Sequence, residues 1–145
     1  MITLNWQGSE AALKRGATAA TDITGFGFTG HAYQMAAASG VELRIERGSI
    51  PILPGALALH RAGVSVSQCS SNRTNVADGF VFDESVDPAF LDLLHDPQTS
   101  GGLLIALPKE EAASLVTELR GGMYPDAALI GEVVASDRPL LRLAG

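Results

Sequence analysis

Apolar positions recur at helical spacing in several stretches of the chain. Leu4, Trp6, Ala11, Ala12 and Leu13 predict a helix over 4–16. Phe28, Ala32, Met35 and Ala36 predict a second over 28–38, and Gly40 stands where a C-terminal cap glycine belongs. VELRIE at 41–46 alternates as a half-buried strand does. PGALALHRAG at 54–63 reads as a short helix that opens on proline and closes on glycine. Residues 64–85 show no period and carry the polar run QCSSNRTN, so a long loop is expected there. Asp87 is placed to cap a helix starting at Pro88, with Phe90, Leu93 and Leu94 as its apolar face. LLIAL at 103–107 reads as a strand. A helix follows from Pro108, with Glu110 and Glu111 in its first turn, Arg120 in its last, and Gly121 after it. ALIGEVV at 128–134 and LLRLA at 140–144 complete the strands. About four strands and five helices make a layered α/β (α+β) domain, with a mixed sheet carrying helices.

The 145 residues suffice for one domain, 1–145, with a sizeable core, and 46% of them are apolar. A net charge of −6 argues against nucleic acid or an anionic membrane surface as the main partner. It leaves phosphate ligands open, since metal ions or backbone N–H groups can hold those. The single cysteine, Cys69, rules out an internal disulfide and suits a reducing, cytoplasmic setting. No apolar run approaches the ~18 residues that a membrane span needs, and MITLNWQGSE lacks the pattern of a signal peptide.

The chemistry concentrates in TDITGFGFTGHA. Gly25, Gly27 and Gly30 give G-x-G-x-x-G, and Glu46 lies near the distance at which a dinucleotide fold places its ribose-binding acid. The lead-in ATAATDIT, however, has no buried-strand character, and Asp22 would repel a bare pyrophosphate. A second reading is structural: the glycines permit a tight turn and close packing, and Asp22 is a cap or turn residue. A third joins both halves. Asp22 holds Mg²⁺ while the loop, through Thr24, Gly25 and Gly27, faces phosphate oxygens. One carboxylate is too few for a complete site, so further ligands would come from elsewhere.

DPQTSGGLLIALP is a second loop of this kind. Thr99, Ser100 and Gly101 offer hydroxyl and N–H donors to an anion, or form a plain turn into the strand. In SSNRTN, Asn72, Arg73 and Asn75 either reach a ligand or face solvent. His31, His60 and His95 have no metal-ligand spacing with one another or with Cys69, and His31 reads as a packing or hydrogen-bonding residue. Neither a G-x-S-x-G elbow nor a Walker A motif is present.

ATDITGFGFTGHAYQMA, SIPILPGAL, DPQTSGGLLIALP and ALIGEVV together resemble the C-terminal domain of the selenophosphate synthetase (selenide, water dikinase) family, in the family's order over residues about 18–134. Aminoimidazole ribonucleotide synthetase, thiamine-phosphate kinase and hydrogenase-maturation proteins share the domain type but carry a different version of the first string. The resemblance implies a partly ferredoxin-like layered unit. It implies an enzyme that makes selenophosphate from selenide and ATP, releasing AMP and phosphate, as a Mg²⁺-dependent homodimer. ATP and Mg²⁺ would be bound mainly by an N-terminal domain, which also supplies the reactive Cys or selenocysteine and a lysine. Asp22 matches the one aspartate that the C-terminal domain sends into the metal–phosphate site. Cys69 does not match the nucleophile, and no catalytic residue is assigned in this chain. The family's N-terminal domain, and the strand that opens its C-terminal domain, have no counterpart in these residues. The chain alone is therefore expected to be inactive and to self-associate through an uncovered edge. The alternative from another class is a stand-alone, non-catalytic module that binds nucleotide or a partner. A different kinase or ligase of the same superfamily is disfavoured by the two long strings.

Overall fold

The computed structural model describes residues 3–145. The chain runs α1 (Trp6–Lys14), β1 (Ala19–Asp22), α2 (Gly27–Ser39), β2 (Val41–Glu46), α3 (Ala56–Arg61), α4 (Gln68–Val76), β3 (Phe80–Val81), α5 (Pro88–His95), β4 (Leu103–Ala106), α6 (Lys109–Gly121), β5 (Gly131–Ala135) and β6 (Leu140–Ala144). A 3₁₀ turn, Arg47–Ser49, follows β2.

The strands form two sheets. One is four-stranded in the order β3-β6-β2-β5. It is mixed, since β2 runs parallel to β6 and antiparallel to β5. The other is an antiparallel pair of β1 and β4, with Asp22 opposite Leu103. Helix α2 packs on β2 and β6, and α4 and α5 pack in turn on α2. This builds the main core from Ala32, Ala36, Leu43, Ile45, Val76, Phe80, Phe90, Leu94, Leu141 and their neighbours. A smaller core of Ala11, Ala12 and Leu115 joins α1 and α6, with Ile105 of β4 packed against it. Arg15 pins these two helices from outside by ion pairs to Glu111 (2.9 Å) and Glu118 (2.7 Å).

The mixed α/β architecture agrees with the sequence pattern, and several local signals act as expected. Gly40 ends α2 in the left-handed conformation at φ 64°. The Asp87 side chain caps α5 by accepting from the Ala89 amide at 2.9 Å. Three elements differ. Residues 64–85, expected as a loop, contain α4 and β3. Helix α4 buries only Cys69, Asn72 and Val76, so its inward stripe is largely polar or soft and leaves no apolar period. Strand β3 has two residues, too few for a pattern. The stretch before the glycine loop, expected not to be a strand, is β1. Its residues are small and only half covered, and its one strand partner among the described residues is β4. Gly121, expected just beyond α6, is its last residue, and Gly122 takes the cap position.

Candidate functional site

Asp22 is the last residue of β1 and is exposed. The chain then turns through Thr24, Gly25 and Phe26 into α2, which has no side-chain cap at its N-terminus. Each glycine of the string does a different job. Gly27 sits at φ 68°, and a Cβ there would come within 2.7 Å of the His95 backbone carbonyl group. Gly30 leaves room for Phe26, whose Cβ would otherwise be met at 2.6 Å. Gly25 faces open space. The string thus lets α2 start hard against the end of α5.

The second string closes around the first. The Ile23 amide donates to the Gly102 carbonyl, the Gly101 amide to the Ile23 carbonyl (each 2.9 Å), and the Gln98 amide to the Thr24 carbonyl at 3.0 Å. These bonds continue the β1–β4 ladder past its last strand pair. The two motifs are therefore one double loop, with the exposed hydroxyl residues Thr99 and Ser100 at its turn.

Beneath the double loop lies a buried polar layer. Asn72 donates to the carbonyls of Gly25 and His95 at 3.0 and 2.9 Å. His95 Nδ1 lies 2.6 Å from the Thr29 hydroxyl, and its ring meets Phe80 edge-on. Burial, reinforced by the nearby Arg73 guanidinium, lowers the pKa of His95 to about 4, so it is neutral at physiological pH. His31 Nε2 lies 3.1 Å from the Thr24 hydroxyl, the hydrogen-bonding role its position suggested. Cys69 is buried, its Sγ donates to Asp96 Oδ1 at 3.4 Å, and burial pushes its thiol pKa up. That environment disfavours a thiolate nucleophile.

The structure brings Asp22, Thr24, Gly25, Gly27 and Gly101 together in the double loop, with Thr99 and Ser100 on its rim. Arg73 is on α4 and forms an ion pair with Asp92 of α5, and Asn72 is turned inward. Sequence spacing could not reveal His95 as part of this unit, since its partners are remote in the chain.

On its outer side Asp22 borders an open groove of about 520 Å³, lined also by Asn5, Trp6, Ser9, Ala20, Thr21 and Leu103. Trp6 is 63% exposed there. The Asp22 carboxylate has no hydrogen-bond or ion-pair partner among the described residues; only the backbone of Asp22 is engaged, in the ladder to β4 and by the Thr21 hydroxyl. Nor does any cluster of three or more His, Cys, Asp or Glu side chains among them suit a metal ion. Asp22 can offer one hard oxygen ligand, not a complete Mg²⁺ site. The glycine loop also links strands of different sheets, β1 through α2 to β2, so the parallel crossover of a dinucleotide-binding fold is absent.

A match to the family described as AIR synthase related protein, C-terminal domain, runs over residues 7–143. The chain belongs to this family. It is 39% identical over 148 residues to a selenide, water dikinase of Treponema denticola, covering 99% of this chain and 42% of that protein. It is 44% identical over 132 residues to a selenide, water dikinase of Porphyromonas gingivalis, covering 90% of this chain and 37% of that one. The chain thus spans about two-fifths of the length of these curated relatives. Among solved structures, E. coli HypE superposes with a TM-score of 0.65 at 23% identity, over 99% of this chain and 36% of HypE. A HypE–HypF complex gives 0.66 at 18% identity, over 94% of this chain and 36% of the matched one. These likenesses establish the AIR synthase-related fold. No helix among the described residues is long and apolar enough to cross a membrane.

Proposed function

We propose that this chain is the C-terminal part of a selenophosphate synthetase, which makes selenophosphate from selenide and ATP with release of AMP and phosphate. Asp22 would offer one carboxylate oxygen to the Mg²⁺ of Mg–ATP, and an N-terminal domain would supply the remaining ligands and the reactive Cys or selenocysteine. The supporting observation is the contrast around the glycine loop. Thr24, Gly25 and Gly27 are engaged inward, while the Asp22 carboxylate stands unpaired at the mouth of an open groove. An exposed carboxylate with no partner does little for the fold and is free to serve a ligand.

Bound Mg²⁺ would neutralise charge on the transferring phosphate. This chain's contribution is to hold Asp22 at a fixed strand end and to offer the double loop beside it. Thr99 and Ser100 are the hydroxyl donors on that rim. The whole assembly works as a cytoplasmic homodimer, and this chain alone does not turn over ATP.

The test is phosphorus NMR of ATP and selenide with the N-terminal half present, wild type against Asp22→Asn. Loss of selenophosphate and of magnesium-dependent ATP binding, in a variant whose unfolding midpoint is unchanged, is the expected result. Ordinary activity in Asp22→Asn would overturn the assignment.

A further inference from the structure

Helix α4 makes contacts that the metal-ligand role of Asp22 does not use. Asn72 is 1% exposed on a helix whose other polar residues face solvent. Its Nδ2 donates to Gly25 O at 3.0 Å and to His95 O at 2.9 Å, and its Oδ1 accepts from Gln68 Nε2 at 3.2 Å. A buried amide is costly unless paired, and this one has its partners on the glycine loop, on the end of α5 and on its own helix. One turn earlier on the same stripe, Cys69 donates to Asp96, the first residue of the second string. Helix α4 therefore grips both signature loops from behind.

The grip has a geometric consequence. A carbonyl held inward fixes the plane of its peptide group, and in a trans peptide the N–H points the opposite way. Every peptide bond among the described residues is trans. Asn72 thus turns the Phe26 N–H away from the core. Among the described residues that N–H has no acceptor, and Phe26 is 46% exposed. Among the described residues no other side chain donates to the Gly25 carbonyl.

We infer that Asn72 is a positioning residue for the proposed reaction, fixing the Gly25–Phe26 peptide so that the loop after Asp22 keeps one shape and its Phe26 N–H stays free for an anionic group of the substrate. This rests on the selenophosphate synthetase reading. Asn72 touches no reacting atom and acts through the loop.

Two readouts test it. In this chain, Asn72→Ala should speed amide hydrogen exchange at Gly101 and Gln98, whose N–H groups bond to the first string, by about ten-fold. Amides of β2 and β6 should be unaffected. In the enzyme with its ATP-binding half, the same substitution should raise the KM for Mg–ATP by about ten-fold with kcat changed far less. Asn72→Ser, which keeps one hydroxyl donor, should recover part of both effects, and it replaces the alanine variant if that one fails to fold. Unchanged exchange in a folded variant would overturn the clamp. Faster exchange with an ordinary KM would overturn the positioning role. An Asp22→Asn enzyme with normal magnesium dependence would overturn the functional reading, and the exchange result would still decide the clamp.

Discussion

Ile23 and Gly101 hold the two signature strings together at van der Waals limits. The Gly101 amide donates to the Ile23 carbonyl at 2.9 Å, and a Cβ on residue 101 would meet the Ile23 Cβ, Cγ2 and carbonyl oxygen at the same distance. Ile23 is itself buried in the main core and cannot step aside. Gly101→Ala should therefore destabilise the fold by about 1–3 kcal/mol, the usual cost of forcing an extra methyl into a packed place. Urea unfolding should show a lower midpoint at unchanged slope.

The glycines of the first string should respond unequally. Gly27→Ala meets backbone atoms of His95 and carries a φ of 68°. It should cost about 3 kcal/mol or more, because neither the conformation nor the space is available. Gly25→Ala enters open space without a left-handed φ and should change stability by less than about 0.5 kcal/mol. Thermal unfolding of the two variants side by side measures the contrast.

Stability should fall with acid in a window set by His95. The unfolded chain takes up this proton near pH 6.5, the folded chain only near about 4. Between those values the unfolded state binds more protons, so stability is fully present above 6.5 and declines as pH drops toward 4. The decline should reach about 3 kcal/mol at most. Urea midpoints from pH 7.5 to 4 would show it, and His95→Gln should flatten the curve.

Glu42 governs a more acidic window. It is buried on β2, where Nε of Arg142 (2.9 Å) and Nε of Arg44 (2.6 Å) donate to it and hold its pKa near about 2. Its contribution is present above its ordinary value of 4.5 and is lost only as pH falls from there toward 2. Glu42→Gln keeps the shape and should cost less than Glu42→Ala, for which about 2 kcal/mol is expected from lost charged hydrogen bonds. Thermal unfolding at pH 7 would rank the two.

Elements whose cause is local were legible in the sequence. Strand β2 shows its alternation, α2 its helical spacing and Gly40 stop, and α5 its Asp87 cap. Strand β1 was not legible, because four small residues make a strand only through pairing with β4. Helix α4 was hidden by its inward Asn72, a residue that reads as loop until its acceptors are known. The candidate site divides in the same way. Asp22 and the glycines stand out by type and spacing, whereas the roles of Asn72 and His95 depend on contacts with distant segments.

The pairing of Asp22 with Leu103 also sets an order of events. During synthesis, the first string emerges long before the segment that must lie against it. Until β4 and its preceding turn follow, the Ile23 amide has no Gly102 carbonyl to meet, and Asp22 sits on a strand without a neighbour. Long-range pairings of this kind repay their loop-closure entropy late. The double loop thus forms only once β4 has joined β1, and a nascent chain halted before Leu103 carries the Asp22 motif without the structure that holds it.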